Sequence, residues 1–182
     1  MARADGRLTA DLNPQDHGPQ DACGVIGIYA PGEEVSKLTY FGMYALQHRG
    51  QESAGMAVSD GRHMMVFKDM GLVSQVFDEA TLNSLQGHMA VGHTRYSTTG
   101  ASIWDNAQPT FRSRQGGDGL ALAHNGNLTN TGALEALIAE RAPDTEVPHK
   151  DRMDSSNDTS LVTALMTTYD GTLEEVAAQV LD

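Results

Sequence analysis

Cysteine is almost absent from this sequence: Cys23 is the only one. A single thiol excludes an internal disulfide framework, and it excludes a four-thiolate metal or iron–sulfur site made from these residues alone. Basic residues are scarce as well, 12 against 24 acidic ones, for a net charge of −12. Nucleic acid demands a positive footprint, so no nucleic-acid partner is expected. Aromatics are 5% of the residues while 19 are glycine. That balance suits tight turns and close backbone approach better than a bulky helical core. Also missing are a run of about 18 apolar residues that would span a membrane and the apolar centre of a secretory signal. The expectation is a cytoplasmic protein without membrane contact. Its 182 residues fit one domain of the usual ~100–200.

Residues 1–22 show no hydrophobic periodicity and carry Pro14, Pro19 and several acids. This is the composition of a disordered leader: either a frayed terminus or a propeptide ending at Ala22. Ordered structure is expected to begin at Cys23, followed by a buried strand from Gly24 to Ala30. Val35 to His48 reads as a helix with Leu38, Phe41 and Tyr44 or Ala45 on one face, stopped by Gly50. Ser53–Ser59 and His63–Phe67 flank Asp60-Gly61, a strong hairpin signal. A short helix over Thr81–Gln86 and a buried strand over Met89–His93 follow. A glycine-rich loop with one strand near Phe111 leads to a strand over Leu120–His124. Three helices close the chain: Ala133–Arg141 capped by Asn130, one capped by Ser156–Asn157–Asp158, and one starting at Thr172. Strands joined mostly by hairpins, with helices between, predict an α+β layered domain.

Polar residues concentrate in a few short segments at the ends of these elements, where a scaffold presents functional groups. They are Cys23-Gly24, Gln47-His48-Arg49-Gly50-Gln51, His93-Thr94-Arg95-Tyr96-Ser97-Thr98, His124-Asn125-Gly126-Asn127 and Ser155–Thr159. Each has an ordinary explanation alone. A lone cysteine is usually core packing, Asn-Gly is a routine turn, and aspartate is a good helix cap. No metal-ligand spacing, glycine-rich phosphate loop or Gly-x-Ser-x-Gly elbow competes with them. Taken together they make a coherent set. A cysteine at a mature N-terminus has its own α-amino group as base. Asn125 and the Gly126 N–H are a candidate oxyanion pair. Arg95 suits a carboxylate and Asp158 an ammonium, which with amide chemistry describes an amino-acid amide.

The segments CGVIGIYA, LQHRGQESAGMAV, GHTRYSTTG, LALAHNGNLTN and SSNDTSLV together resemble the glutaminase half of the amidophosphoribosyltransferases. That family belongs to the class II glutamine amidotransferases of the N-terminal-nucleophile hydrolase superfamily. The resemblance runs from about residue 22 to 182, and LQHRGQESAG is closer to this family than to glucosamine-phosphate synthase or asparagine synthetase. It implies a four-layer αββα sandwich. It also implies Cys23 as nucleophile, exposed by cutting the Ala22–Cys23 bond, and Asn125 and Gly126 as the oxyanion hole. Arg95 and Asp158 match the residues that bind the glutamine α-carboxylate and α-ammonium; Thr98 and Gly50 line the pocket, and Arg49 belongs to a loop over it. One departure stands out: Ser160 occupies the place where many members have glutamate two positions after the aspartate.

The resemblance further implies a partition into a leader, 1–22, and a glutaminase domain, 23–182, with a phosphoribosyltransferase domain expected beyond it in the parent chain. The ammonia released from glutamine would serve phosphoribosylamine synthesis, the first step of de novo purine synthesis. No metal or cofactor is expected within residues 1–182. In the parent enzyme Mg2+ and, in some members, a 4Fe–4S cluster would bind elsewhere, and the complete protein would be a homo-oligomer. Two alternatives stay open. One is another class II amidotransferase such as glucosamine-phosphate synthase; the other is an uncleaved, inactive precursor or interaction module, because Cys23 has no α-amino group while residues 1–22 remain attached.

Overall fold

A computed structural model describes residues 23–96, 102–114, 117–143 and 158–181. The leader and Thr98 therefore lie outside the described residues. In chain order the first half holds β1 (Gly24–Tyr29), α1 (Val35–Ala45), β2 (Ser53–Ser59), β3 (Met64–Met70), α2 (Val73–Val76), α3 (Glu79–Ser84) and β4 (Met89–Arg95). The second half holds β5 (Thr110–Ser113), β6 (Gly119–Leu122), α4 (Thr131–Arg141), α5 (Asp158–Met166) and α6 (Leu173–Leu181).

β1, β4, β2 and β3 form one antiparallel sheet in that spatial order, and β5 and β6 pair antiparallel in a second. Helices α1 to α3 cover the outer face of the first sheet. Val35, Met43, Met56, Val58, Val73, Phe77 and Leu82 make a core there. On the far side, α5 packs on β5 and β6 and is flanked by α4 and α6. Ile138, Leu161 and Leu165 fill one part of that layer, and Leu120, Met166 and Val176 another. The fold is α+β, with layers in the order α–β–β–α.

Local chemistry accounts for several boundaries. Between β2 and β3, Asp60 Oδ1 accepts from the N–H groups of Arg62 (2.8 Å) and His63 (2.7 Å), closing the hairpin. Those backbone donors, His63 first, hold its carboxyl below the usual carboxylate range. Asp78 caps α3 by accepting from Thr81 N at 2.7 Å. At α6 the Thr172 N–H donates to Glu175 Oε2 (2.9 Å) while Thr172 Oγ1 accepts from the Glu175 N–H (3.3 Å), a reciprocal cap.

Four expectations need correction. β1 is half-buried: Val25, Gly27 and Tyr29 are exposed alternately, because it is an edge strand and the second sheet leaves its inner face open. α1 ends at Ala45, and Gln47–Arg49 form a separate 3-10 turn before Gly50. Its Leu38–Phe41–Tyr44 face points outward; the packed face is Val35, Ser36, Thr39 and Met43, whose smaller members let the helix lie close to the sheet. Asn130 stands at the start of α4 but makes no side-chain cap. The turn of helix α2, missed in the sequence, carries only four residues of pattern. Of the Ser156–Asn157–Asp158 cap, only Asp158 lies within the described residues.

The two sheets approach closely at Gly55. A Cβ there would sit 2.1 Å from the Gln108 carbonyl oxygen and 2.7 Å from Lys68 Cβ, so Gly55→Ala must push the layers apart. The substitution should lower the unfolding free energy by about 1–3 kcal/mol, measured by urea denaturation. His93 is fully buried on the same inner face, with no hydrogen bond to either ring nitrogen among the described residues. Burial pushes its pKa from 6.5 down to about 4; the nearby backbone of His124 opposes this, and the charges of Arg95 and His124 add to it. Between those values the unfolded chain binds a proton that the native state refuses, so stability should fall as pH drops from 6.5 to 4, by about 3 kcal/mol. His93→Gln should remove most of that slope in denaturation curves compared at pH 6.5 and 4.5; an unchanged slope would assign it to the carboxylates.

Candidate active site

Cys23 lies immediately before β1, one residue beyond the Gly24↔Thr94 pair that ends its ladder with β4. Its Sγ is 3.5 Å from both the N–H and the carbonyl oxygen of Tyr96, which follows β4 directly. The thiol is partly exposed. Its own carbonyl is held from two sides: Asn125 Nδ2 donates to it at 2.8 Å and Arg49 Nε at 3.3 Å. Segments 26 and 102 residues away in sequence thus converge on one backbone oxygen.

Gly50 fixes how closely the Arg49 segment can approach. A Cβ at Gly50 would stand 2.5 Å from the carbonyl carbon and oxygen of Thr94 and 2.7 Å from the carbonyl carbon of Arg95. Only glycine allows the 3-10 turn to lie on the backbone of β4 here. Gln47 braces the same turn: its amide nitrogen donates to the Gly50 carbonyl, while its Oε1 accepts from Val73 N at 2.6 Å.

Arg95 ends β4 almost fully buried, on the inner face that also holds His93. Its Nη1 donates to Glu52 Oε1 at 3.0 Å, in an ion pair whose side chains are 7% and 14% exposed. That burial takes the pair out of the weak surface class. Asn125 and Gly126 sit in the loop after β6. The loop is anchored at one end by Gln108, whose Oε1 accepts from His124 N at 2.8 Å. At the other end Asp158, in the first turn of α5, accepts from Leu128 N at 2.7 Å. The second oxygen of Asp158 is 3.9 Å from His124 Nδ1.

Cys23, Arg49, Gly50, Arg95 and Asn125 are therefore neighbours around the open ends of β1 and β4, with Gly126 adjoining. Asp158 joins them through the 124–128 loop. Sequence reasoning missed Glu52 and Gln108. Glu52 lay inside the quoted LQHRGQESAGMAV but was given no role, and its only signal was an acid directly before the small, apolar strand SAGMAVS. Gln108 carried no signal at all. Among the described residues no three His, Cys, Asp or Glu side chains converge to hold a metal ion. Nor is any helix among the described residues long and apolar enough to cross a membrane.

No protein-family model matches the chain. Among curated proteins it is 52% identical, over 183 aligned positions, to the amidophosphoribosyltransferase of Mycobacterium tuberculosis, covering 96% of this chain and 33% of the relative. It is 60% identical over 139 positions to the amidophosphoribosyltransferase of Synechococcus elongatus, covering 73% and 28%. Two solved structures share the fold. Bacillus subtilis glutamine phosphoribosylpyrophosphate (PRPP) amidotransferase, complexed with ADP and GMP, matches with a TM-score of 0.71 and 34% identity over 86% of this chain. A structure described as the allosteric regulatory enzyme of purine biosynthesis matches at 0.73 and 35% over the same share. The chain spans about a third of the length of these relatives. Through this shared sequence and fold the chain belongs to the amidophosphoribosyltransferase family.

Proposed function

We propose that the chain hydrolyses the side-chain amide of glutamine with Cys23 as nucleophile, and that the ammonia released serves phosphoribosylamine synthesis from phosphoribosylpyrophosphate. The observation carrying this reading is the grip of Asn125 and Arg49 on the Cys23 carbonyl, which sets a candidate oxyanion donor beside the thiol.

The proposed steps follow from the groups present. Cleavage before Cys23 turns its amide nitrogen into an amine with a pKa near ~7.7–8.0, partly neutral at physiological pH. That amine takes the thiol proton as Sγ bonds to the glutamine Cδ. The carbonyl oxygen becomes an oxyanion that accepts from Asn125 Nδ2 and Gly126 N. Nδ2 has two hydrogens, and its bond to the Cys23 carbonyl uses one. Collapse breaks the Cδ–N bond, the ammonium returns its proton to the leaving nitrogen, and ammonia departs. Water then adds to the thioester, releasing glutamate and restoring the thiol. Arg95 binds the α-carboxylate and Asp158 the α-ammonium, with Gly50 and Thr98 lining the pocket and Arg49 ordering over it.

In the same proposal residues 1–22 are a propeptide, a phosphoribosyltransferase domain in the parent chain receives the ammonia, and Mg2+ and any 4Fe–4S cluster bind outside these residues. The complete protein is a cytoplasmic homo-oligomer.

With the N-terminus at Cys23, Cys23→Ala should abolish glutamate release in a coupled assay. Release at the wild-type rate would remove Cys23 as nucleophile. Asn125→Ala should lower kcat about 10²–10³-fold while leaving thiol alkylation intact. Intact mass separates the two states of the chain: activity should follow the species that begins at Cys23, and activity in uncut material would refute the α-amino base.

A further inference from the structure

Arg95 is a cation with 6% of its surface exposed. A buried guanidinium needs an anion or a set of acceptors to be stable, and whatever acceptor it finds also fixes the direction of its plane. Glu52 supplies one such acceptor at 3.0 Å. Glu52 is itself held rigidly: its N–H donates to the Arg95 carbonyl at 3.1 Å, and its carbonyl accepts from Gly71 N at 2.8 Å. The two residues are thus tied twice, once through the backbone at the end of β2 and β4 and once through the side chains. The second carboxylate oxygen, Oε2, is buried and has no hydrogen-bond partner among the described residues. Glu52 therefore engages the guanidinium through Oε1, in place of a fork in which both its oxygens accept.

We infer that Glu52 is a positioning residue for glutamine binding: its Oε1 orients the Arg95 guanidinium so that other N–H donors of the group face the substrate α-carboxylate. This rests on the proposed role of Arg95. The work is done by the acceptor, not by the negative charge. A second carboxylate placed beside Arg95 is repelled by Glu52, so charge alone would weaken binding and cannot be what the site gains. The gain lies in geometry, because bidentate recognition of a carboxylate fails when the guanidinium plane rotates away. Gly50, lying on the backbone at Thr94 and Arg95, keeps the segment from shifting to compensate.

Two substitutions isolate the acceptor, since both remove the charge. Glu52→Gln keeps a carbonyl oxygen at the Oε1 position; Glu52→Met fills similar volume with no oxygen. In the full chain starting at Cys23, Glu52→Met should raise KM for glutamine about tenfold or more while kcat changes less than about threefold. Glu52→Gln should restore KM to wild-type or below. Hydrolysis of glutaminamide, whose α-carboxylate is masked as an amide, should be nearly the same in all three proteins. Alkylation of Cys23 by iodoacetamide at the wild-type rate confirms an intact site; if the Met variant fails that check, Glu52→Ala takes its place. The inference is overturned if Met and Gln variants share one KM, or if glutaminamide hydrolysis falls as much as glutamine hydrolysis. Arg95→Ala separates this from the underlying reading. If it raises KM while Glu52→Met does not, only the role of Glu52 is wrong; if it leaves KM unchanged, Arg95 does not bind the carboxylate at all.

Discussion

The register of β4 between β1 and β2 is the constraint from which the site follows. β4 is hydrogen-bonded on both sides, with Thr94 opposite Gly24 in one neighbour and Ala54 in the other. Strand side chains alternate between faces, so this register sends Ala90, Gly92 and Thr94 toward the helices and His93 and Arg95 toward the second sheet. A slip of one residue would exchange the two sets. Arg95 would then meet the apolar layer under α1, and the ion pair with Glu52 could not form. Backbone pairing thus selects which chemistry reaches the inner layer before any side chain makes a contact.

That inner layer is not optimised for stability. His93 is buried neutral without a hydrogen bond, buried oxygens of Glu52 and Ser53 lack partners among the described residues, and so does Thr94 Oγ1 on the adjoining helix-facing side. All four residues lie at the same end of the paired strands β2 and β4. An unsatisfied buried polar atom costs about 1–3 kcal/mol, and an apolar substitution at such a place is often neutral or better. Away from this end the design is conventional, with methionine, valine and phenylalanine filling the layer under the helices. Polar atoms without partners, gathered where Cys23 and Arg95 meet, set this end of the strands apart from the rest of the fold.

The parts legible in the sequence were those that short-range chemistry determines. Asp60-Gly61 announced the β2–β3 hairpin because the aspartate closes its own turn within three residues. The helix start at Thr172 was visible for a similar reason. The residues that become neighbours at the candidate site were also conspicuous, since Cys23, Arg49, Gly50, Arg95 and Asn125 each stood in a polar segment at an element's end. What could not be read was how they meet. The bonds to the Cys23 carbonyl join residues 26 and 102 positions apart, and backbone carbonyls carry no signature in a sequence. Glu52 was missed because its partner is 43 residues away. The packed side of α1 was misjudged because apolar spacing names a stripe, and here closeness to the sheet favoured Ser36 and Thr39 over Phe41 and Tyr44.

A chain end usually frays, since nothing restrains it on one side and its motion is entropically favoured. Residue 23 is different in kind. Its carbonyl is tied to two distant side chains, its sulfur contacts the backbone at Tyr96, and the next residue is already in the ladder. Were the peptide bond before it cut, the new terminus would remain moored on its carboxyl side, and only the nitrogen would gain freedom. The amine would then swing about a fixed pivot within reach of its own sulfur. The Cα–Cβ bond already holds that amine near the sulfur, and folding of the sheet would fix where the pair sits relative to Tyr96 and Asn125.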